Sequence, residues 1–199
     1  MRTGVVDYGL GNLPSVIKAL ERAGAAPVLI SSPGELRSGL DAIVLPGVGH
    51  FGAGSRNLRP FAPALREWAA AGRPLLGICL GLQLLFEKSD EDPSAEGLGI
   101  CEGEVRRIEA RRVPHMGWNT LDVSPSARVL SAVAPGEMVY FVHSYVVRPD
   151  PSVAASSTTY ESAFCSGLEQ GSVVGVQFHP EKSGEVGRRL LERFCREAA

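Results

Sequence analysis

The sequence predicts an α/β protein of one domain, built on an open, mixed but largely parallel sheet with helices on both faces. Two observations carry that expectation. Through the first half of the chain, short apolar runs of strand length alternate with helix-length segments, and such alternation implies parallel strands joined by crossover helices. The second half instead offers strand-like runs joined by short turns, so the later strands are expected to be partly antiparallel. A length of 199 residues suits one domain with a sizeable core.

Taken in order, residues 4–8 (GVVDY) form a short β-branched run, followed by a glycine turn and a helical pattern over 14–23. Residues 27–31 and 42–46 are apolar runs too short for helices and read as the next strands. Helical spacing over 61–71 ends at Gly72, and Pro74 opens a strand that leads to Cys79. Residues 80–88 return to helical spacing. After a polar excursion at 90–97 (DEDPSAEG), expected to be a mobile loop, strands are predicted at 104–108, 120–123, 137–143, 153–159 and 173–178. An amphipathic helix over 183–197 follows, with Val186, Leu190, Leu191 and Phe194 at helical spacing.

Composition narrows the functional classes. A net charge of −2 argues against a nucleic-acid binder. No run approaches the roughly 18 apolar residues of a membrane span, and the first twenty residues lack the basic leader and long apolar core of a signal peptide. Cys79, Cys101, Cys165 and Cys195 include no C-x-x-C pair, so structural zinc and a disulfide framework are both unsupported and a reducing cytoplasm fits. Neither a metal nor another cofactor is expected.

The chemistry concentrates in three places. In G-I-C-L-G, residues 77–81, an apolar strand stops at Cys79 and turns at once into a helix. Flanking glycines permit the tight, strained turn of a nucleophile elbow. The helix N-terminus favours a thiolate, and the N–H of Leu80 would face an oxyanion formed beside the sulfur. Alone, Cys79 reads first as a small buried hydrophobe. The second place is His179-Pro180-Glu181, directly after a strand-like run. Proline pushes His179 toward an extended backbone, where residues two apart project to one side, so Glu181 can orient the imidazole. That is the base and orienter a cysteine nucleophile needs. The third is Pro46-Gly47-Val48-Gly49 after the strand at 42–46, a glycine-bracketed loop suited to supplying a second oxyanion N–H, or else an ordinary turn. The earlier Tyr8-Gly9-Leu10-Gly11-Asn12 fails as a dinucleotide fingerprint, because Pro14 stands where the third glycine is required.

Together these residues resemble the class I (triad) glutamine amidotransferases, with Cys79, His179 and Glu181 matching the Cys-His-Glu triad. Within that family, YGLGNLPSV (8–16), PGVGHFG (46–52), GICLGLQLL (77–85), PHMGWN (114–119), YFVHSY (140–145) and QFHPEKSG (177–184) are similar to the glutaminase subunits of imidazole glycerol phosphate synthase. PGVG discriminates, since relatives serving other pathways more often carry PGG or PGPG. The resemblance implies a single amidotransferase domain over 1–199, with a flavodoxin-like fold and an antiparallel β extension. It implies hydrolysis of L-glutamine through a Cys79 thioester and delivery of the ammonia to a (β/α)8-barrel cyclase partner. That partner would make imidazole glycerol phosphate and an aminoimidazole carboxamide ribotide in histidine biosynthesis. By the same resemblance, Leu80 and Val48 hold the oxyanion, while Gly47, Gly49, Gln83 and the Ser144–Tyr145 backbone line the substrate site. Asn12, Trp118, Tyr140 and Lys182 would meet the partner, although Trp118 also suits a core position; His115 and His143 are left as structural or interface residues. Pro14, His50, the 90–97 stretch and Cys101 depart from the family pattern without touching the triad. A glutaminase for another pathway, such as pyridoxal phosphate synthesis, and a non-catalytic flavodoxin-like scaffold are the competing readings.

Overall fold

The computed structural model describes residues 1–37 and 39–198. In the first half, β1 (Arg2–Val6), α1 (Leu13–Arg22), β2 (Ala26–Ile30), β3 (Ala42–Leu45), α2 (Phe51–Leu58), α3 (Ala62–Ala70), β4 (Leu75–Ile78) and α4 (Leu80–Gln83) follow one another. A β-rich stretch then runs β5 (Lys88–Ser89), β6 (Gly103–Arg107), β7 (His115–Thr120), β8 (Asp122–Val123), β9 (Met138–His143), β10 (Tyr145–Pro149), β11 (Ala154–Tyr160), β12 (Ser162–Gln170) and β13 (Val173–Val176). Helix α5 (Gly184–Glu197) comes last.

The main sheet has the order β2-β1-β3-β4-β13-β12-β10-β6-β5. Its first five strands are parallel, and β12, β10 and β6 continue it antiparallel. Strands β11 and β8 extend it off β12, and β7 and β9 form a separate antiparallel pair. The mixed, largely parallel architecture is therefore the observed one. Alternating side chains divide the core in two. Val5, Val44, Leu76 and Val174 face α1 and α5 through Val16, Leu20, Leu190 and Phe194. Val6, Ile43, Leu45, Leu75 and Val173 face the other helices through Phe51, Leu65, Trp68 and Leu80. Among the described residues no helix is long and apolar enough to cross a membrane.

Several boundaries differ from the sequence expectation. The helix expected over 80–88 stops at Gln83, because the carbonyls of Leu84, Leu85 and Glu87 accept from Leu98, from Ile100 and Cys101, and from Gly97. Leu84, Leu85 and Phe86 are all buried in the core just past that end. The strand expected over 120–123 is split: β7 ends at Thr120, and Asp122–Val123 pairs with β11 in the other sheet. Residues 90–97, expected to be a loose loop, are tied to α2, where Glu91 accepts the Phe51 N–H at 2.6 Å and Ser55 donates to the Glu96 carbonyl at 2.5 Å. Helix α2 itself has no strong sequence signal, since Gly52 and Gly54 are poor helix formers. They serve close packing: a Cβ on Gly54 would lie 2.9 Å from a Leu84 methyl.

Candidate active site

Neighbouring parallel strands bring the three sequence motifs together. Leu45 on β3 pairs with Gly77 on β4, and Ile78 on β4 pairs with Val176 on β13. The segments leaving those strands, 46–49, Cys79 and 177–181, therefore emerge side by side at the C-terminal edge of the sheet, where α/β enzymes build their sites.

Cys79 is the elbow. Its backbone stands at φ 53°, ψ −108°, a conformation that costs a non-glycine residue about 1–3 kcal/mol and needs surrounding structure to hold it. Its N–H donates to Val176 at 2.8 Å, and α4 begins at the next residue. The flanking glycines are required by contact. A Cβ on Gly77 would stand 2.9 Å from Leu82 backbone atoms, and one on Gly81 would stand 2.8 Å from the Leu45 carbonyl carbon.

His179 is 1% exposed, and its Nδ1 lies 2.7 Å from Glu181 Oε1, with the carboxylate buried as well. The turn is anchored: His179 N–H donates to Tyr140, and Ser183 Oγ donates to the His179 carbonyl at 2.7 Å. Nε2, the other ring nitrogen, is buried and closes no hydrogen bond of ordinary geometry among the described residues, with Cys79 beside the ring. Loose contacts of this kind are usual in catalytic sites before substrate arrives. Burial alone would hold His179 below its ordinary pKa, but hydrogen bonding and negative charge from Cys79 and Glu181 outweigh it and raise it.

Beside Cys79 opens a cavity of about 250 Å³ lined by Val48, Gly49, Leu80, Gln83, Ser144 and Tyr145, among others. Larger clefts lie along Arg56–Arg66 and between β8, β10 and β12, away from the nucleophile. Gln83 Nε2 donates to the Tyr145 carbonyl at 3.0 Å, and both residues line this cavity.

The oxyanion donors are arranged otherwise. Leu80 N–H donates to the Gly47 carbonyl at 3.3 Å. In a planar trans peptide C=O and N–H point in opposite directions, so Val48 N–H is aimed away from the Leu80 amide. The Gly47–Val48 peptide therefore fills the expected hole with an acceptor. Gly47 is close-packed here, since a Cβ would stand 2.9 Å from both Gly81 N and Leu80 Cβ. The Tyr8 hydroxyl sits against the same glycine, buried and without a hydrogen-bond partner among the described residues. Burial, then the nearby Cys79, raises its pKa.

Trp118 is 53% exposed, so it is a surface residue rather than a core one. It pairs across the β7–β9 ladder with Tyr140, ring centroids 5.9 Å apart, and Lys182 Nζ lies 5.7 Å from the Tyr140 ring. Met116 and Met138, which carried no signal in the sequence, are exposed on the same face of that ladder and widen the apolar patch. Asn12 stands exposed at the N-cap of α1, its side chain making no capping bond. His50, a departure from the family pattern, caps α2 by accepting from Gly52 N–H at 3.1 Å. His115 and His143 are buried and bonded to each other at 3.0 Å. Burial lowers their pKa values to about 4 and about 3, with His115 adding to the shift at His143. Gln177, also without an assigned role in the sequence, is 0% exposed and reaches both Gln83 and Cys79. A polar side chain between the apolar Val176 and Phe178 was the available signal, because a buried amide must find partners. Among the described residues no group of His, Cys, Asp and Glu could hold a metal ion.

The family model for glutamine amidotransferase class-I matches residues 4–198. The chain is 48% identical over 202 residues to the imidazole glycerol phosphate synthase subunit HisH of Aquifex aeolicus, covering 100% of this chain and 98% of the relative. It is 45% identical to the HisH subunit of Pyrococcus furiosus, with 98% of each chain covered. Among solved structures, one described as a glutamine amidotransferase superposes with a TM-score of 0.77 at 23% identity, covering 98% of both chains. The structure of PurLQS from Thermotoga maritima gives 0.79 at 21% identity, covering 100% of this chain and 99% of that one. At those identities the structural likeness speaks for the fold.

Proposed function

The chain belongs to the class I glutamine amidotransferases, and on that premise we propose that it is the glutaminase subunit of an imidazole glycerol phosphate synthase. The observation that carries the mechanism is the hydrogen-bonded His179–Glu181 pair set beside a positive-φ Cys79 at the ends of adjacent strands. Cys79 gives its proton to His179 Nε2 and attacks the side-chain amide carbon of L-glutamine, forming a tetrahedral oxyanion. Collapse breaks the C–N bond as the imidazolium protonates the departing nitrogen, which leaves as ammonia. His179 then activates water to hydrolyse the glutamyl thioester. Glu181 holds the ring and balances its charge throughout.

Ammonia passes to a cyclase partner, which we take to be a (β/α)8 barrel, in the cytoplasm. The face formed by exposed Trp118, Met116 and Met138 around half-buried Tyr140, with Lys182 and Asn12, suits that partner: apolar and aromatic at its centre, polar at its edge. Because the Gly47 carbonyl occupies Leu80 N–H, oxyanion stabilisation requires the Gly47–Val48 peptide to rotate and present Val48 N–H. Partner and nucleotide binding supply that rotation, so the lone chain hydrolyses glutamine very slowly.

Replacing Cys79 with Ala in the assembled pair tests the reading. Glutamine-dependent turnover is expected to vanish while ammonia-dependent turnover by the cyclase persists; glutamine-driven turnover in the variant complex would overturn it.

A further inference from the structure

A chain of amides crosses the site, and one backbone carbonyl sets its polarity. The Tyr145 carbonyl oxygen can only accept, and it lies 3.0 Å from the Gln83 side chain, so the Gln83 atom facing it is the NH2 group. That same nitrogen lies 3.2 Å from Gln177, so the Gln177 atom it meets must be the oxygen. The other end of Gln177, its NH2 group, is then the one 3.6 Å from Cys79 Sγ. Reversing either amide would set like groups against each other, so the orientations are dictated by the network. Tyr145 O also accepts from His143 Nδ1 at 3.0 Å, and His143 Nε2 in turn accepts from His115 Nδ1 at 3.0 Å. The carbonyl is thus held from both sides, and Gln177 is fully buried.

We propose that Gln177 is a further catalytic residue, donating an N–H to the Cys79 sulfur and stabilising its negative charge before attack and again when the thioester is cleaved. This rests on Cys79 being the nucleophile. Gln177 and His179 are two residues apart on one chain segment leaving β13, so one segment supplies both a proton acceptor and a fixed donor. Their tasks differ. His179 takes the thiol proton and must later deliver it to the leaving nitrogen, whose C–N electron pair accepts it. Gln177 gives up no proton, so its dipole stays on the sulfur through every step.

Peptide-resolved alkylation by iodoacetamide across pH tests this in the assembled pair, with Cys101, Cys165 and Cys195 as internal references. Gln177→Leu is expected to move the Cys79 pH–rate profile upward by about one unit, the worth of one hydrogen bond to a charged group. Glutamine kcat should fall about tenfold with KM nearly unchanged. The titratable groups around the sulfur (His179, Glu181, Tyr8, His143 and Glu91) stay in place, so the shift reports the amide. Should Gln177→Leu not fold, the side-chain amide resonances of Gln177 in the unaltered, 15N-labelled chain decide. They are expected to move over the pH range in which Cys79 becomes reactive, and stationary signals would overturn the proposal. An unchanged profile and kcat in Gln177→Leu would also overturn it. If Cys79 in the unaltered protein reacts no faster than the other three cysteines, the nucleophile assignment itself fails instead.

Discussion

Gly187 lies in the interior of α5, far from Cys79 in the chain, and Gly187→Ala tests how the catalytic turn is held. On an open helix this change stabilises by about 1 kcal/mol. Here the added Cβ would stand 2.7 Å from the carbonyl carbon and 3.0 Å from the Cα of Pro180, and nearer still to the Pro180 oxygen. Carbon atoms in contact prefer about 3.5–4.0 Å, so α5 and the turn must separate by roughly 1 Å. The obstructing atoms are backbone, so no rotamer change can relieve them. They belong to the peptide between Pro180 and Glu181, which joins the base to its orienter. Overpacking of this kind costs about 1–3 kcal/mol, and after the helix gain a net loss of about 1 kcal/mol is expected, or roughly 2–4 °C in Tm. A displacement of about 1 Å at the imidazole costs on the order of 100-fold in rate. The assay is glutamine hydrolysis by the loaded pair alongside a thermal melt. Gly34→Ala, whose Cβ would meet nothing within 4 Å, is the neutral control. Activity within twofold of the parent together with an unchanged or raised Tm would refute this account of the turn.

Glutaminase activity of the lone chain is expected to rise by at least about 100-fold when the nucleotide-loaded partner is added, the loss typical of a missing oxyanion donor; equal rates would show that the Gly47–Val48 peptide need not rotate. Trp118→Ala should raise the partner Kd by about thirtyfold, corresponding to an interface anchor of about 2 kcal/mol; unchanged affinity by titration calorimetry would place the contact elsewhere. Stability should fall below about pH 6.5, because His115 and His143 are held neutral by burial, with folded values of about 4 and about 3, and the unfolded chain binds their protons first. Their contribution is complete above the unfolded value and is lost as pH drops toward the folded ones, while His179, shifted upward, titrates above this window. Urea midpoints from pH 7 to 5 check it: His143→Gln should roughly halve the acid slope, and an unaltered slope would exclude the pair as its source.

The parallel half of the fold and the convergence of Cys79, His179 and Glu181 are legible in the sequence, because both depend on local signals: apolar runs of defined length, a glycine-flanked cysteine, and a proline that extends its histidine. Helix α2 escaped because glycines chosen for contact with Leu84 and the 90–97 loop erase helix propensity. The end of α4 escaped because it is set by carbonyls given to residues 97–101, a partnership invisible in local periodicity. Strands β7, β10 and β12 carry weak strand signals, because exposed, polar or glycine positions interrupt alternation, as in SAFCSGLEQ. In the site, residue identity foretold that 46–49 adjoins Cys79 but not which way the Gly47–Val48 peptide faces. Peptide orientation costs little in sequence and decides whether the oxyanion hole is open. Gln177 lies within QFHPEKSG (177–184), yet the role proposed for it emerges only from the hydrogen-bond chain that begins at Tyr145.

A glutamyl group carried on Cys79 is the step on which the proposed mechanism rests. Rapid acid quench of the loaded pair with isotopically labelled glutamine, followed by peptide mapping, measures it directly. Label is expected on the peptide containing Cys79, appearing and decaying at rates that match turnover. Full turnover with no label on that peptide, or label on another cysteine, would contradict it.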